Sequence, residues 1–137
     1  PQDPNFQPLR ENFQRLESVL VVDDDRQLNR ALSRRLQHAG LGVVCAYDGR
    51  TALEIIRPLE PDALGLHLCL PGLDGIKLLH ALRTSSDLRE PPVVAITGQG
   101  DSSLVAKARH WGVNALLHKP ISPKQLVEQV VSALERG

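Results

Sequence analysis

Acidic, basic, imidazole and hydroxyl side chains follow the short apolar runs of this sequence. Three consecutive carboxylates occupy positions 23–25, and His67, Thr97 and Lys119 stand at the ends of later runs. Carboxylates that pack together repel each other unless a cation lies between them, and Mg²⁺ is a hard ion that suits oxygen ligands. Hydroxyl and ammonium groups both bind phosphoryl oxygens. Side chains of these types could bind a cation and an oxyanion, if the fold brings them together.

The elements that would position these residues alternate between strand and helix. From residue 19 onward, five short apolar runs alternate with five segments of helical spacing. Such continuously apolar runs are typical of parallel strands covered on both faces, and strict alternation implies right-handed crossovers. The predicted strands are 19–23, 43–47, 63–67, 93–97 and 115–117. The first predicted helix has Leu28, Leu32 and Leu36 on its buried face and ends at Gly40; the others are 50–57, 76–83, 102–111 and one that begins at 123.

Helix start signals accompany several of these segments. Either Asp24 or Asp25 could cap the first helix. The last helix follows the sequence Ser122-Pro123-Lys124-Gln125, in which a serine cap, a first-turn proline and a glutamine form a capping box. The site of an open α/β sheet lies beyond the carboxyl ends of its strands, so we expect the polar residues named above to gather there.

Four segments, taken in order, resemble the receiver domain of two-component response regulators. The resemblance runs from about Ser18 to Arg136 and implies a flavodoxin-like (βα)5 doubly wound parallel sheet of order 2-1-3-4-5. Residues 18–137 are thus expected to form the receiver domain, and residues 1–17 a linker or a short helix with an apolar stripe. The four segments that carry the resemblance are 19–25, 61–75, 93–98 and 118–120.

The resemblance also implies roles for individual residues. Asp23 and Asp24 match the acidic pocket of the family. Thr97 and Lys119 match the residues that contact the phosphoryl group. The metal ligands would be Asp24 and the backbone carbonyl of Cys69.

One position departs from the family pattern. Where receivers carry the aspartate that accepts the phosphoryl group, this chain has His67. Imidazole offers one nitrogen lone pair and no negative charge at neutral pH, so Mg²⁺ is possible but should bind weakly, and no acyl phosphate can form there. Lys119 loses its expected resting partner and should turn to Asp23 or Asp24.

The expected function is a pseudo-receiver that signals through protein contacts without aspartyl phosphorylation, and not an enzyme. Two alternatives stay open. His67 could accept a phosphoryl group on nitrogen, as relay histidines do. Alternatively, Asp23, Asp24 and His67 could form a mixed nitrogen and oxygen site that suits Zn²⁺, Mn²⁺ or Ni²⁺ better than Mg²⁺. The simplest interpretation is a histidine hydrogen-bonded to a neighbouring aspartate.

Charge and composition limit the kinds of partner that the sequence predicts. The 16 basic and 16 acidic residues give a net charge of zero, from which we expect no direct nucleic acid partner. No apolar run suggests a membrane span, and the two cysteines predict free thiols in a cytoplasmic protein. The resemblance implies a histidine kinase or an output domain in the same chain as partner, and a possible homodimer through helix four, strand five and helix five. The chain begins at Pro1 and contains no methionine, which predicts a piece of a longer protein.

Overall fold

Five parallel strands form one sheet in the computed structural model, which describes residues 16–70, 73–85, 90–98 and 102–136. The strand order is β2-β1-β3-β4-β5, as predicted. The strands are β1 (Ser18–Val22), β2 (Gly42–Ala46), β3 (Ala63–His67), β4 (Val93–Thr97) and β5 (Ala115–His118). The helices are α1 (Arg26–His38), α2 (Gly49–Leu59), α3 (Gly75–Thr84), α4 (Ser102–His110) and α5 (Pro123–Arg136).

Strand register places the carboxyl ends of the strands side by side. Val22, the last residue of β1, pairs with Ala46 and Leu66. His67 pairs with Ile96, and the next residue, Thr97, pairs with His118. The polar residues that follow these positions therefore emerge at the same edge of the sheet, which is the edge expected to hold the site.

Helices cover both faces of the sheet, and each face has its own apolar core. One core contains alternate residues of the strands with α2, α3 and α4, and the other contains the remaining alternate residues with α1 and α5. Because both faces are buried, the central strands β3 and β4 carry no polar side chain before their last residues, His67 and Thr97. Every residue of β4 is buried, as are four of the five residues of β3.

Side-chain caps fix where the helices begin. Asp25, and not Asp24, caps α1 by accepting a hydrogen bond from the Leu28 amide at 3.1 Å. The predicted capping box is present at α5: the Gln125 amide donates to Ser122 Oγ at 3.2 Å, and the Ser122 amide donates to Gln125 Oε1 at 2.9 Å. Asp24 thus keeps its carboxylate available for the site.

The predicted bounds of several elements were wrong by one or two residues. α2, for example, continues through Pro58 to Leu59 before Glu60 turns into the left-handed region at φ 50°. Pro58 lies in the last turn of this helix and has no amide hydrogen to donate to the carbonyl four residues earlier, and the helix ends one residue later.

The expectation for residues 1–17 falls largely outside the described residues, so the division at residue 18 stays a prediction. Within the described part of the chain, none of the helices is both long and apolar enough to cross a membrane.

Candidate functional site

The imidazole of His67 faces two carboxylates at the carboxyl edge of the sheet. Its Nδ1 atom lies 3.2 Å from Asp24 Oδ1 and 3.5 Å from Asp23 Oδ1. Two carboxylate oxygens and a nitrogen lone pair would repel one another, so a proton or a cation must lie between them. The side chain of His67 is 12% exposed and that of Asp24 is 45% exposed, which leaves the cluster open to solvent on one side.

Asp23 is the buried member of this cluster, with a fully inaccessible side chain. Its Oδ1 atom accepts a hydrogen bond from the Asp25 amide at 3.0 Å. Its Oδ2 atom is buried and has no hydrogen-bond partner among the described residues. Burying a carboxylate oxygen in this way costs free energy unless a positive group lies nearby.

Lys119 supplies the nearest side-chain cation to that oxygen. Its Nζ atom lies 3.6 Å from Asp23 Oδ2, which is an ion pair but longer than a hydrogen bond. The Lys119 amide donates to the Thr97 carbonyl at 2.8 Å, and the peptide between Lys119 and Pro120 is cis. Lys119 was expected to pair with Asp23 or Asp24, and the structure shows the ion pair with Asp23.

These contacts oppose the effect of burial on the ionisation of Asp23. Burial raises the pKa of this carboxyl group, while the hydrogen bond with His67, the Asp25 amide and the charges of His67 and Lys119 lower it. The second group of effects prevails, and the pKa lies below its ordinary value of 3.8. The pocket therefore holds a carboxylate that stays negative at neutral pH.

Thr97 and Cys69 do not join the cluster as closely. Thr97 is buried at the end of β4, and within the described part of the chain its hydroxyl donates only to the Gly98 carbonyl, at 3.3 Å. The Cys69 side chain is exposed, and its thiol is outside the group of His67, Asp23 and Asp24 atoms that lie within 4.8 Å of one another. The roles expected for Thr97 and for the Cys69 carbonyl stay predictions.

Asn29 is a residue of the site region that sequence reasoning missed. Its buried side-chain amide donates to the carbonyls of Val21, Asp23 and Ala46 at 3.1 to 3.3 Å. These bonds tie the first turn of α1 to the ends of β1 and β2, where the backbone of Asp23 emerges. A polar residue on the apolar side of a helix, between Leu28 and Leu32, was the available signal.

The side chains of the cluster do not suit Mg²⁺. This ion requires near-octahedral oxygen coordination and is bound through carboxylates, carbonyls and water. Asp23 and Asp24 offer such oxygens, but the third converging atom is the Nδ1 nitrogen of His67, a softer ligand. The buried Oδ2 atom of Asp23 has its positive charge from Lys119 at 3.6 Å, and the donor set that faces His67 is not the one Mg²⁺ prefers.

Comparison with known proteins identifies relatives for most of the chain. Residues 19–131 match the response regulator receiver domain family. The chain is 35% identical over 120 residues to the transcriptional regulator ycf27 of Porphyridium aerugineum, covering 88% of this chain and 49% of that protein. It is 36% identical over 119 residues to the DNA-binding response regulator MtrA of Mycobacterium tuberculosis, covering 87% of this chain and 51% of MtrA. The chain thus spans about half the length of these relatives.

Solved structures show the same architecture. The chain superposes on a protein described as a response regulator of Chloroflexus aurantiacus with a TM-score of 0.81 and 35% identity. The superposition covers 89% of this chain and all of the other. The predicted flavodoxin-like fold is therefore confirmed.

The expectation that nucleic acid is no direct partner was wrong. The finding that overturns it is the relationship to MtrA, which is by name a DNA-binding response regulator. The expectation rested on the zero net charge, which averages over the whole surface and cannot exclude a local basic face. It also took no account of the half of each relative that this chain does not cover.

Proposed function

The chain belongs to the response regulator receiver domain family, and on this premise we propose that it acts as a pseudo-receiver. In this proposal the domain transmits signals through contacts with other proteins and does not store an aspartyl phosphate. It has no catalytic role of its own.

The placement of His67 carries the proposal. His67 is the last residue of β3, and its side chain points at the acidic pair Asp23 and Asp24, where an acceptor carboxylate would be needed. An imidazole at this place cannot form an acyl phosphate, because it has no carboxyl oxygen to attack phosphorus. The Nδ1 atom of His67 also lies within 3.5 Å of an oxygen of each carboxylate.

The rest of the pocket supports a silenced receiver. Lys119 is paired with Asp23, and the buried Thr97 hydroxyl donates to the adjacent carbonyl of Gly98. The side chains of Lys119 and Thr97 therefore contact protein groups. Both residues are still in place at the pocket, so a carboxylate at position 67 alone should restore the acceptor site.

Intact mass after incubation with acetyl phosphate and Mg²⁺ tests the proposal. The native chain should gain no phosphoryl group, while a His67→Asp variant should gain one. A His67→Asn variant is the matched control, because it changes the same position without providing a carboxylate. A phosphoryl adduct on the native chain would overturn the proposal, and its survival in base with loss in acid would instead indicate phosphohistidine.

A second candidate function is contact with nucleic acid, and the basic face of α1 favours it. Four arginines and no carboxylate occur in this helix of 13 residues, at positions 26, 30, 34 and 35. No ion pair among the described residues involves Arg30, Arg34 or Arg35. Arg34 and Arg35 also line a cleft of about 420 Å³ with Lys124 of α5. Exposed arginines suit phosphates because their planar fork binds two oxygens at once.

Fluorescence anisotropy with a labelled DNA duplex tests this second function. Binding should weaken steeply with salt, since each phosphate contact releases counterions. An Arg30→Gln/Arg34→Gln double variant should bind less and show a shallower salt dependence, whereas a Lys107→Gln control on α4 should match the native chain. Equal binding by the double variant and the control would exclude α1 as the contact surface.

A further inference from the structure

We infer that a cleft at the amino edge of the sheet binds a small carboxylate that carries an aromatic or other apolar group. The cleft has a volume of about 530 Å³ and lies where α3 and α5 end and where β4 and β5 begin. His67 and the acidic pair stand at the opposite ends of the strands. The inference therefore concerns a second site and does not depend on the chemistry at position 67.

Arg83 supplies a half-buried positive charge to this cleft. Its guanidinium group has five N–H bonds, and three of its nitrogens each donate to one backbone carbonyl. One N–H on each terminal nitrogen is left without a partner among the described residues. No ion pair among those residues involves Arg83 either. Carbonyl oxygens are neutral, so the charge of Arg83 is not compensated, whereas a carboxylate offers both a negative charge and two acceptor oxygens.

Asn114 presents a second donor to the same cleft. Its Oδ1 atom accepts a hydrogen bond from the Val93 amide at 2.9 Å, and its own backbone amide donates to the Val93 carbonyl at 2.8 Å. These bonds fix the orientation of the side chain. The Nδ2 group has no acceptor among the described residues, so it is a positioned donor that a ligand oxygen can use.

The balance of charge along the cleft suits a ligand with one negative charge. Arg83 and Arg136 are the cations of the lining, and Glu90 is its only carboxylate. Counted with His110 neutral, the lining carries one net positive charge. A phosphate monoester carries a charge of about −2 at neutral pH, and Glu90 would repel it more strongly than it repels a carboxylate.

The rest of the lining suits an apolar group. Trp111, Pro91 and Pro92 form part of the wall, and the ring of His110 lies edge-on to that of Trp111 with centroids 5.0 Å apart. A concave site with an aromatic wall and a few positioned polar groups is typical of sites for small organic ligands. A bare inorganic anion would leave this wall without contacts, and for that reason the ligand is assigned an apolar group.

Tryptophan fluorescence tests the inference directly, because Trp111 is the sole tryptophan of the chain. Titration with phenylacetate should produce a saturable change in emission. Phenylacetamide has the same shape without the charge, and it should not saturate in the same concentration range. N-acetyl-glycyl-phenylalanine distinguishes two sources of the carboxylate: tighter binding than phenylacetate indicates the end of a peptide chain, and weaker binding indicates a free acid.

Variants at the cleft show where the probe binds. Asn114→Asp keeps the acceptor for the Val93 amide, removes the Nδ2 donor and adds a like charge, so it should weaken phenylacetate binding at least about 10-fold. Arg136→Gln removes an exposed cation and should weaken it about 2- to 5-fold. Arg109→Gln is the matched control, since it removes a charge from α4 outside the lining and should bind as the native chain does.

The outcomes that would overturn the inference are specific. They are no saturable response to phenylacetate, equal responses to phenylacetate and phenylacetamide, or native affinity in both Asn114→Asp and Arg136→Gln. Circular dichroism checks that each variant is folded. If Asn114→Asp does not fold, Arg136→Gln and the pair of probes still decide the result, because Arg136 is exposed and lies in the last turn of α5.

Discussion

The α-carbon of Gly75 lies against the backbone of Leu68, directly behind the site. A β-carbon on Gly75 would be 2.7 Å from Leu68 Cα and 2.9 Å from the His67 carbonyl oxygen. The Gly75 amide also donates to the Leu68 carbonyl at 2.9 Å. The first residue of α3 thereby holds the end of β3 in place, so the direction of the His67 side chain depends on a glycine eight residues away.

Gly75→Ala should therefore destabilise the protein by about 1–3 kcal/mol, because rigid backbone atoms must move to admit the methyl group. Thermal unfolding followed by circular dichroism measures the loss. Gly65→Ala is the control, since a β-carbon there meets only Leu126 side-chain atoms, at 3.7 Å or more, in ordinary contact. Equal unfolding temperatures for the two variants would contradict this account.

These two glycines show what a sequence can and cannot predict. Strand apolarity and helical spacing locate the elements, because burial on both faces of a parallel sheet leaves a continuous apolar run. The order of polar residues along the chain then places Asp23, His67 and Lys119 at one edge. Whether a glycine can be replaced by alanine depends on how closely a distant backbone segment approaches its α-carbon. No local sequence pattern predicts that distance.

The sequence also does not predict which side chains form contacts between elements. Asn29 reads as an ordinary polar residue of a helix until its three carbonyl partners are known. Asp24 and Asp25 were equivalent as caps, and only the geometry of the α1 terminus assigns the role to Asp25. The identity of the residue at position 67 is visible in the sequence, but its contact with Asp23 and Asp24 is a property of the fold.

Asn29→Ala should destabilise the protein by about 1–3 kcal/mol, because the carbonyls of Val21, Asp23 and Ala46 lose the hydrogen bonds of the Asn29 amide, although the Ala46 carbonyl still accepts from the Asp23 amide at 3.1 Å. Urea unfolding at neutral pH measures this change. Ser33→Ala removes a hydroxyl that donates to Asn29 Oδ1 at 3.2 Å and contacts Cys45 Sγ at 2.9 Å, but it leaves the bonds to the strand ends in place and should cost less. If Ser33→Ala proves the more damaging of the two, the bonds to the strand ends are not the main contribution of Asn29.

Arg83 connects α3 to the turn that follows α4. Its guanidinium group donates to the carbonyls of Trp111, Pro91 and Gly112 at 3.0, 3.1 and 3.2 Å. Burial lowers the pKa of this group and the charge of Glu90 opposes the change. Trp111 packs against the core here, with the rings of His80 and His110 edge-on to its own.

Arg83→Lys should lower stability by about 1–3 kcal/mol, because an ammonium group cannot reach three carbonyls arranged for a planar fork. Trp111 is the sole tryptophan, so its fluorescence reports on this turn. We expect its emission in the folded variant to shift to longer wavelength as solvent reaches the ring. Arg109→Lys, on the exposed side of α4, is the control, and a similar shift in that variant would exclude Arg83 as the cause.

The ion pair between Lys119 and Asp23 predicts how acid affects stability. The pKa of Asp23 in the folded chain is below its ordinary value, so ionised Asp23 stabilises the fold above the unfolded pKa. That contribution is lost as pH falls through the folded pKa. Lys119→Gln removes a positive charge 3.6 Å from Asp23 Oδ2 and should raise the folded pKa. The contribution of Asp23 to stability above the unfolded pKa should then be smaller, and its loss should be complete at a higher pH.

Acid unfolding followed by circular dichroism measures this shift. The midpoint for Lys119→Gln should lie at higher pH than that of the native chain, with a cost of about 1 kcal/mol at neutral pH because Lys119 is partly exposed. Lys124→Gln provides the matched control: its partner Glu128 is 3.9 Å away and both side chains are largely exposed. Identical midpoints for the two variants would mean that His67 and the Asp25 amide alone keep Asp23 ionised, and that Lys119 can leave the pocket without cost.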